Sequence, residues 1–216
     1  MDLFDNNLYY KVEVKRNQRR NEMLETLRSI AKHRDLRKHD CLTVIILSHG
    51  NSGQIITSDN SGLEFEKVLT IFNNQNCHQL IKKPKMFFFN CCRGSTLDFG
   101  PQFTISTANE EDRDVVDATL WPQVPIISDM MICYSTIDGY VSWRNEQNGT
   151  WFGSALANAL ENNAHSLELN QILTIASDIV HNRTTKNGAK QAIEWKYRAW
   201  TKSLYFNPNF FKQQNN

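Results

Sequence analysis

Hydrophobic and polar residues alternate near the start of the chain in a pattern that predicts a strand and then a helix. Apolar residues at every second position from 8 to 14, separated by Tyr9, Lys11 and Glu13, predict a half-buried strand. From Asn21, a residue suited to cap a helix, the apolar positions change to helical spacing. The apolar face of this predicted helix consists of Met23, Leu24, Leu27, Ile30 and Ala31.

Two nearly continuous apolar runs follow, over residues 41–47 and 86–89. Such runs are typical of strands that are buried on both faces of a parallel sheet. The first strand ends abruptly at Ser48-His49-Gly50, and the second ends at Asn90-Cys91-Cys92-Arg93-Gly94. Between the two runs, helical spacing predicts a connecting helix through Phe65, Val68, Leu69 and Phe72.

The second half of the chain begins with a long aperiodic segment. Periodicity is lost over residues 95–128, which predicts a loop, and a loop of that length is usually functional or disordered. A strand over 130–134, a loop over 139–145, helices near 152–160 and 169–180, and a last strand near 203–206 follow. Strands that alternate with helices predict an α/β fold with a mostly parallel central sheet and helices on both faces.

Composition and charge narrow the class of protein. The 216 residues are 40% hydrophobic and 22% charged, which excludes intrinsic disorder, and no apolar run approaches the roughly 20 residues that cross a bilayer. The net charge of +1 gives no reason to expect nucleic acid or membrane as a partner. Five cysteines without a CxxC pair fit neither a disulfide framework nor a compact zinc site. An acidic N-terminus also argues against a signal peptide, so we expect a cytoplasmic protein. We expect no cofactor.

Chemistry is expected where the two buried strands end. Parallel strands joined by a helix emerge on the same edge of the sheet, so His49 and Cys92 can be brought close together. A thiol and an imidazole form a cysteine nucleophile with its base. The backbone N–H groups of Gly50 and Cys92 are candidates for an oxyanion hole. A metal site of His49, Cys91 and Cys92 is the remote alternative, since no fourth ligand is evident.

These residues resemble those of the caspase family. Cys92-Arg93-Gly94 follows an apolar strand, and His49 precedes Cys92 by 43 residues. The caspase signature is Q-A-C-[RQG]-G with a histidine about 50 residues upstream. The likeness continues through residues 48–50, 83–89, 134–136, 139–145, 149–152 and 204–206. It implies a single caspase-like domain over 1–216, a three-layer sandwich with a large-subunit-like portion (1–117) and a small-subunit-like portion (118–216).

The resemblance also implies roles for individual residues. Cys92 is then the nucleophile and His49 the general base and acid, with Cys91 a bystander. Arg144 resembles one of the two arginines that hold the substrate aspartate, and Asn90 stands where the family has a glutamine. The remaining substrate contacts implied by the resemblance are Val141, Ser142, Trp143, Asn145 and Trp151. Processing is expected after Asp117, at the end of an Asp-Val-Val-Asp tetrapeptide.

Three departures from the family bear on activity. The chain as given starts at what resembles the second strand, so the first strand and the other pocket arginine are missing from it. That strand lies in the family between the segments resembling residues 8–14 and 41–47, so its loss would leave unpaired backbone groups or force these two strands together. Asn90 is also one methylene shorter than glutamine, and residues 193–200 are bulkier and more charged than in typical members.

Two functions therefore remain open from the sequence. One is an endopeptidase that cleaves protein substrates after aspartate in apoptosis or related proteolytic signalling. The other is a catalytically impaired homologue that binds and regulates an active caspase. In either case the resemblance implies a homodimer, or a heterodimer with another caspase, formed through the last predicted strand near 203–206.

Overall fold

A computed structural model describes residues 3–100, 125–145 and 149–207. The α-helices are α1 (Arg20–Lys32), α2 (Phe65–Ile71), α3 (Trp151–Asn163) and α4 (Leu169–His181). The strands are β1 (Leu42–Leu47), β2 (His49–Asn51), β3 (Gln54–Ile56), β4 (Gly62–Glu64), β5 (Lys85–Asn90), β6 (Gly94–Thr96), β7 (Met130–Tyr134), β8 (Gly139–Tyr140), β9 (Arg144–Asn145), β10 (Gly149–Thr150) and β11 (Glu194–Arg198). Short π- and 3₁₀-helical turns cover Leu3–Asn7, Arg34–Lys38 and His78–Leu80.

The central sheet has the strand order β1-β5-β7-β11. β1, β5 and β7 are parallel, and β11 runs antiparallel to β7. Alternate residues of the middle strands enter two separate cores: Phe87 and Phe89 pack with α1 and α2, while Met86 and Phe88 pack with α3 and α4. The predicted α/β sandwich of three layers is therefore confirmed. Every residue of β5 is buried, as its continuous apolar run predicts.

β1 differs from its predicted burial because it lies at an edge of the sheet. Its only strand partner among the described residues is β5. Ile46 is buried, but Ile45 is 40% exposed and Leu47 is 67% exposed. The prediction that residues 41–47 are buried on both faces is wrong, since an apolar run alone does not show whether the helix layers extend over both faces of an edge strand.

The predicted strand over residues 8–14 is also wrong. This segment is irregular in the structure and forms no ladder with β1. Leu8 is buried in the core beside α3 and α4, and the Tyr10 hydroxyl lies 3.1 Å from the Cys41 Sγ atom, whereas Val14 is 48% exposed. Alternation produces a strand only where a partner strand satisfies the backbone, and here side-chain packing positions the first half of the segment. The sequence analysis expected either direct pairing of residues 8–14 with residues 41–47 or unpaired backbone groups. Direct pairing does not occur, and the outer edge of β1 stays unpaired within the described ranges.

The last strand of the sheet is β11, not residues 203–206. Leu204 and Phe206 are buried in the core, and Tyr205 makes only an isolated bridge with Glu168. The strand prediction at 203–206 is wrong. Alternation of buried and exposed residues over so few positions fits a strand, but it fits equally well an irregular segment that packs two side chains onto the core. As the sheet edge is elsewhere, the predicted dimer contact through 203–206 loses its structural basis.

Other predicted elements agree with the structure. Helices α1 to α4 cover the four predicted helices, and β7 matches the strand at 130–134. α1 begins at Arg20, with Arg19 and not Asn21 in the capping position. The loop at 139–145 contains two short strands, of which β8 pairs with β6 and β9 pairs with β10. No helix in residues 3–100, 125–145 or 149–207 is long and apolar enough to cross a membrane.

Candidate active site

The ends of β1 and β5 lie side by side, as the sequence predicts. Leu47 pairs with Asn90, and the Ser48 N–H donates to the Asn90 carbonyl at 3.2 Å. His49 follows directly and begins β2, which turns away from the sheet to pair with β3. The segments that carry His49 and Cys92 therefore leave the sheet side by side, at the carboxyl ends of β1 and β5.

Gly50 sits so close to the cysteine segment that no larger residue fits. A Cβ atom at this position would lie 2.4 Å from the Cys92 carbonyl oxygen and 2.9 Å from the Cys91 Sγ atom. Real Cβ atoms do not approach a backbone oxygen this closely. The absence of a side chain thus allows the His49-Gly50 backbone to lie against Cys91 and Cys92.

The Cys92 thiol points to the segment that follows β8. Its Sγ atom accepts a hydrogen bond from the Ser142 N–H at 3.3 Å and lies 3.8 Å from the Ser142 carbonyl oxygen. Among the described residues no hydrogen bond joins Cys92 to the exposed side chain of His49. The structure therefore places the two backbone segments together, while the thiol is hydrogen-bonded to Ser142 and not to the imidazole. Catalytic hydrogen bonds are often long or misaligned in enzymes without substrate.

Cys91 is a buried thiol with no access to substrate. Its exposed fraction is 3%, and burial raises the pKa of the thiol to about 12. Its N–H donates to the Ser135 Oγ atom at 3.2 Å, and the same hydroxyl donates to the Cys91 carbonyl at 3.0 Å. At neutral pH this sulfur stays protonated, so it is a poor nucleophile and a poor metal ligand. No group of three His, Cys, Asp or Glu residues arranged to hold a metal occurs in the described ranges.

Arg93 is a buried cation that the sequence reasoning did not select. Its guanidinium pairs with the Glu194 carboxylate, donates to the Thr136 carbonyl at 3.2 Å, and lies 4.0 Å from the centre of the Tyr134 ring. Only 8% of the residue is exposed. Arg93 therefore fixes the residue next to Cys92 to β7 and β11 through charge, hydrogen bonding and ring contact.

The backbone of Arg93 strengthens this attachment. Its N–H donates to the Tyr140 carbonyl at 3.0 Å, and its carbonyl accepts from the Gly139 N–H at 2.9 Å. A second acid, Asp138, lies 3.7 Å from the guanidinium. The sequence does show an arginine next to the candidate nucleophile, which could have singled out Arg93. It does not show the ion-pair partner of Arg93, because Glu194 is on a strand that no apolar pattern predicts.

Asn90 and Arg144 both adjoin Thr150 at the start of α3. The Asn90 Nδ2 atom donates to the Thr150 Oγ1 atom at 2.6 Å, and that oxygen also accepts from the Gly153 N–H at 3.0 Å. Thr150 pairs with Arg144 across β9 and β10. The structure thus brings both predicted pocket residues next to one threonine, Asn90 through its side chain and Arg144 through strand pairing.

The Asn90 amide has an unsatisfied oxygen in the orientation shown. Asn90 is 4% exposed, and its Oδ1 atom has no partner. Exchange of the amide oxygen and nitrogen, which have nearly the same shape, lets the Thr150 hydroxyl donate to Oδ1. Nδ2 then takes the buried position of the former oxygen, where no hydrogen-bond partner lies among the described residues.

The predicted substrate contacts form one segment beside Cys92. Val141 is fixed to β6 by its N–H, which donates to the Thr96 carbonyl at 3.1 Å. The Trp143 N–H donates to the Gln191 Oε1 atom at 2.7 Å, and its carbonyl accepts from the Trp151 N–H at 3.0 Å. The two tryptophan rings have centroids 6.3 Å apart.

Ser142, between Val141 and Trp143, contacts the Cys92 sulfur as described above. Asn145 lies exposed on β9 next to Arg144. Val141, Ser142, Trp143, Arg144 and Asn145 therefore run as a continuous segment from the sulfur toward Trp151. The predicted processing site, Asp117, lies outside the described residues.

Known proteins resemble the chain over most of its length. The family profile described as Caspase domain matches residues 1–205. Caspase-3 of Bos taurus is 35% identical over 206 residues, which cover 93% of this chain and 71% of that protein. Caspase-7 of Gallus gallus is 34% identical over 196 residues, covering 88% and 62%, and caspase-3 of Mus musculus is 36% identical over 167 residues, covering 77% and 57%. These similarities confirm the resemblance found in the sequence.

Proposed function

Since the chain belongs to the caspase family of cysteine peptidases, we propose that it is an endopeptidase that cleaves proteins after aspartate, in apoptosis or related proteolytic signalling. The observation that carries the proposal is the packing of Gly50 against Cys92. That contact puts the residue after a histidine beside a half-buried cysteine at the end of a buried strand. Such an arrangement suits a cysteine nucleophile and its base.

In the proposed mechanism Cys92 attacks the backbone carbonyl carbon of the substrate aspartate. His49 takes the thiol proton, a sulfur–carbon bond forms, and the resulting oxyanion accepts hydrogen bonds from the N–H groups of Gly50 and Cys92. His49 then gives the proton to the leaving amine as the carbon–nitrogen bond breaks. Water hydrolyses the thioester and returns the thiol.

Aspartate specificity is proposed for the pocket around Thr150. Arg144 is a cation on the exposed side, and no hydrogen bond or ion pair to another described residue engages its guanidinium. Asn90, which is buried beside Thr150, is proposed to contribute a neutral amide to the same pocket. An exposed guanidinium in such a pocket favours a carboxylate over a neutral side chain. Val141, Ser142, Trp143, Asn145 and Trp151 are proposed to bind the residues that precede the aspartate.

A catalytically impaired regulator of an active caspase is the second candidate function. It is favoured by the Cys92 Sγ atom, which is hydrogen-bonded to Ser142 and not to His49. In this position the sulfur accepts the hydrogen bond of the Ser142 N–H. That N–H is then not available to a substrate that passes beside Ser142.

Assembly, location and processing complete the proposal. We expect a homodimer, or a heterodimer with another caspase, in which the outer edge of β11 takes the place of the 203–206 contact. The cytoplasm is the proposed location, in keeping with five free thiols. Maturation is proposed by cleavage after Asp117, which separates a large-subunit-like portion (1–117) from a small-subunit-like portion (118–216).

The proposal is tested with purified protein, tetrapeptide reporters that end in aspartate, and a thiol label directed to active-site cysteines. We expect turnover of the reporters, with label on Cys92 as located by peptide mass analysis. Reporters that end in glutamate, asparagine or arginine are the matched controls for specificity. Labelling at Cys92 without turnover favours the regulator, whereas no labelling at Cys92 contradicts the assignment of the nucleophile.

A further inference from the structure

Gln191 is a buried side chain that joins two parts of the candidate site. It lies between α4 and β11, and only 2% of the residue is exposed. Its Nε2 atom donates to the Ser135 carbonyl at 2.6 Å, and its Oε1 atom accepts a hydrogen bond from the Trp143 N–H at 2.7 Å. Because one neighbour is an acceptor and the other is a donor, only one orientation of the amide satisfies both. A glutamine therefore fits this position by its chemistry as well as by its size.

Ser135 connects the Gln191 amide to the segment that carries the candidate nucleophile. The Ser135 hydroxyl accepts from the Cys91 N–H at 3.2 Å and donates to the Cys91 carbonyl at 3.0 Å. The Ser135 N–H donates to the Phe89 carbonyl at 2.9 Å, near the end of β5. Through Ser135, the Gln191 amide is therefore attached to the backbone directly before Cys92.

Trp143 connects the same amide to the predicted substrate segment, residues 141–145. The Trp143 carbonyl accepts from the Trp151 N–H at 3.0 Å, and the indole Nε1 atom donates to the Lys190 carbonyl at 3.1 Å. With the bond to Gln191, both peptide groups of Trp143 and its indole N–H are bonded within the protein. Trp143 is thus the residue that anchors the segment.

These contacts return to Cys92 through the residue next to Trp143. The Ser142 N–H donates to the Cys92 Sγ atom at 3.3 Å. The two ends of the Gln191 amide therefore lead, by separate contacts, to the backbone and to the sulfur of the same cysteine. In this closed chain of contacts the Gln191 amide supplies the link between Ser135 and Trp143.

We propose that Gln191 is a positioning residue for substrate binding. It holds Trp143, and with it the segment 141–145, at a fixed place relative to Cys92, although it is itself too buried to touch a substrate. A surface that is ordered before binding loses less conformational freedom when a peptide binds, so it binds more tightly. The inference rests on the proposed function and deepens it, because it names a residue outside the substrate surface that orders that surface.

Loss of the Gln191 amide should affect substrate binding more than the chemical step. The cysteine segment keeps its hydrogen bonds to the Ser135 hydroxyl, and the Trp143 indole keeps its bond to Lys190. What is lost is the buried partner of the Trp143 N–H and of the Ser135 carbonyl. An interaction that helps the bound substrate and the transition state equally changes KM and not kcat. We expect KM for an aspartate-ending tetrapeptide to rise roughly tenfold, with kcat within about threefold of its original value.

Two substitutions and a matched control test this expectation. Gln191→Met keeps the volume without the polar groups, and Gln191→Asn keeps the polar groups on a side chain too short to reach both partners. Asn74→Leu is the control, because Asn74 is a buried amide beside Lys85 at the opposite end of β5 and donates to the Pro125 carbonyl and the Ser128 hydroxyl at 2.7 and 2.8 Å. It should lower the melting temperature comparably and leave KM unchanged. Unchanged KM in both Gln191 variants, or an equal rise of KM in Asn74→Leu, would overturn the proposal.

Peptide binding without catalysis separates this inference from the proposed function. A fluorescent tetrapeptide that ends in aspartate is titrated into Cys92→Ala, with and without Gln191→Met, and fluorescence polarisation gives the two Kd values. Roughly tenfold weaker binding by the double variant supports the positioning role even if the unmodified chain turns over no reporter, a result that refutes only the peptidase. Equal binding by the two proteins, or no binding by Cys92→Ala, refutes the positioning role, while turnover by the unmodified chain is measured independently.

Discussion

Replacement of Gly50 by alanine is the sharpest test of how the candidate site is built. The new Cβ atom would lie 2.4 Å from the Cys92 carbonyl oxygen, 2.9 Å from the Cys91 Sγ atom and 3.0 Å from the Cys91 Cβ atom. The first of these is a backbone atom, so no side-chain rotation relieves the contact. The segment that carries Cys92 must move away from the segment that carries His49.

The expected effect on activity exceeds the effect on stability. Overpacking of this kind destabilises a fold by about 1–3 kcal/mol. For a domain of this size, the melting temperature falls by roughly 2–4 °C for each kcal/mol. A displacement of reacting groups by about 1 Å can lower the rate about 100-fold. We therefore expect a folded protein with a modestly lower melting temperature and a kcat reduced by about two orders of magnitude, measured with an aspartate-ending reporter.

Gly53 supplies the matched control in the same hairpin. Its φ angle is +75°, and an added Cβ would meet no atom within 4 Å. Alanine there costs about 1–2 kcal/mol through the left-handed backbone, without pressing on the cysteine segment. Gly53→Ala should match Gly50→Ala in stability while it keeps its activity. Full activity in Gly50→Ala refutes the argument, and equal losses of activity in both variants would assign the effect to stability alone.

Three further predictions concern individual residues. Cys92→Ala should abolish turnover and thiol labelling while Cys91→Ala keeps most of both, because burial raises the pKa of the Cys91 thiol to about 12 and keeps it protonated; equal loss in the two variants would contradict the assignment. Arg144→Ala should raise the transition-state barrier for aspartate substrates by several kcal/mol, and each increase of about 1.4 kcal/mol lowers kcat/KM tenfold; unchanged cleavage after aspartate would locate the pocket elsewhere. Incubation with an active executioner caspase should give a fragment that ends at Asp117 by intact-mass analysis, and a cut that persists in Asp117→Ala would exclude this site.

Much of the sheet could be predicted from local patterns because its middle strands, β5 and β7, are largely apolar. β5 and β7 are buried on both faces, and their composition alone identifies them. β11 could not be recognised in this way, since more than half of its residues are charged. Glu194 and Arg198 are neutralised by Arg93 and Glu66, which are distant in sequence, so only the folded structure explains why a polar segment forms the last strand.

The sequence predicts which backbone segments meet at the candidate site, but it does not predict how the side chains there are oriented. Strand ends that meet at one sheet edge bring residues 48–50 and 90–92 together, and the structure agrees. The orientation of the Cys92 thiol toward Ser142 depends on a loop whose path no periodicity encodes. The role of Thr150 between Asn90 and Arg144 was likewise invisible, because a helix-capping threonine gives no sign of which more distant side chains it contacts.

The exposed apolar side chains of β1 have a consequence for assembly at high concentration. Each copy contributes a four-stranded sheet, with β11 at one end and β1 at the other. At the β1 end the sheet presents Ile45 and Leu47, which are 40% and 67% exposed. A strand edge without a partner among the described residues, next to exposed apolar side chains, is a template for another strand, so copies can associate through β1 at high concentration. The two ends of the sheet therefore differ, since β11 carries charged side chains that oppose nonspecific association and β1 carries apolar side chains that favour it.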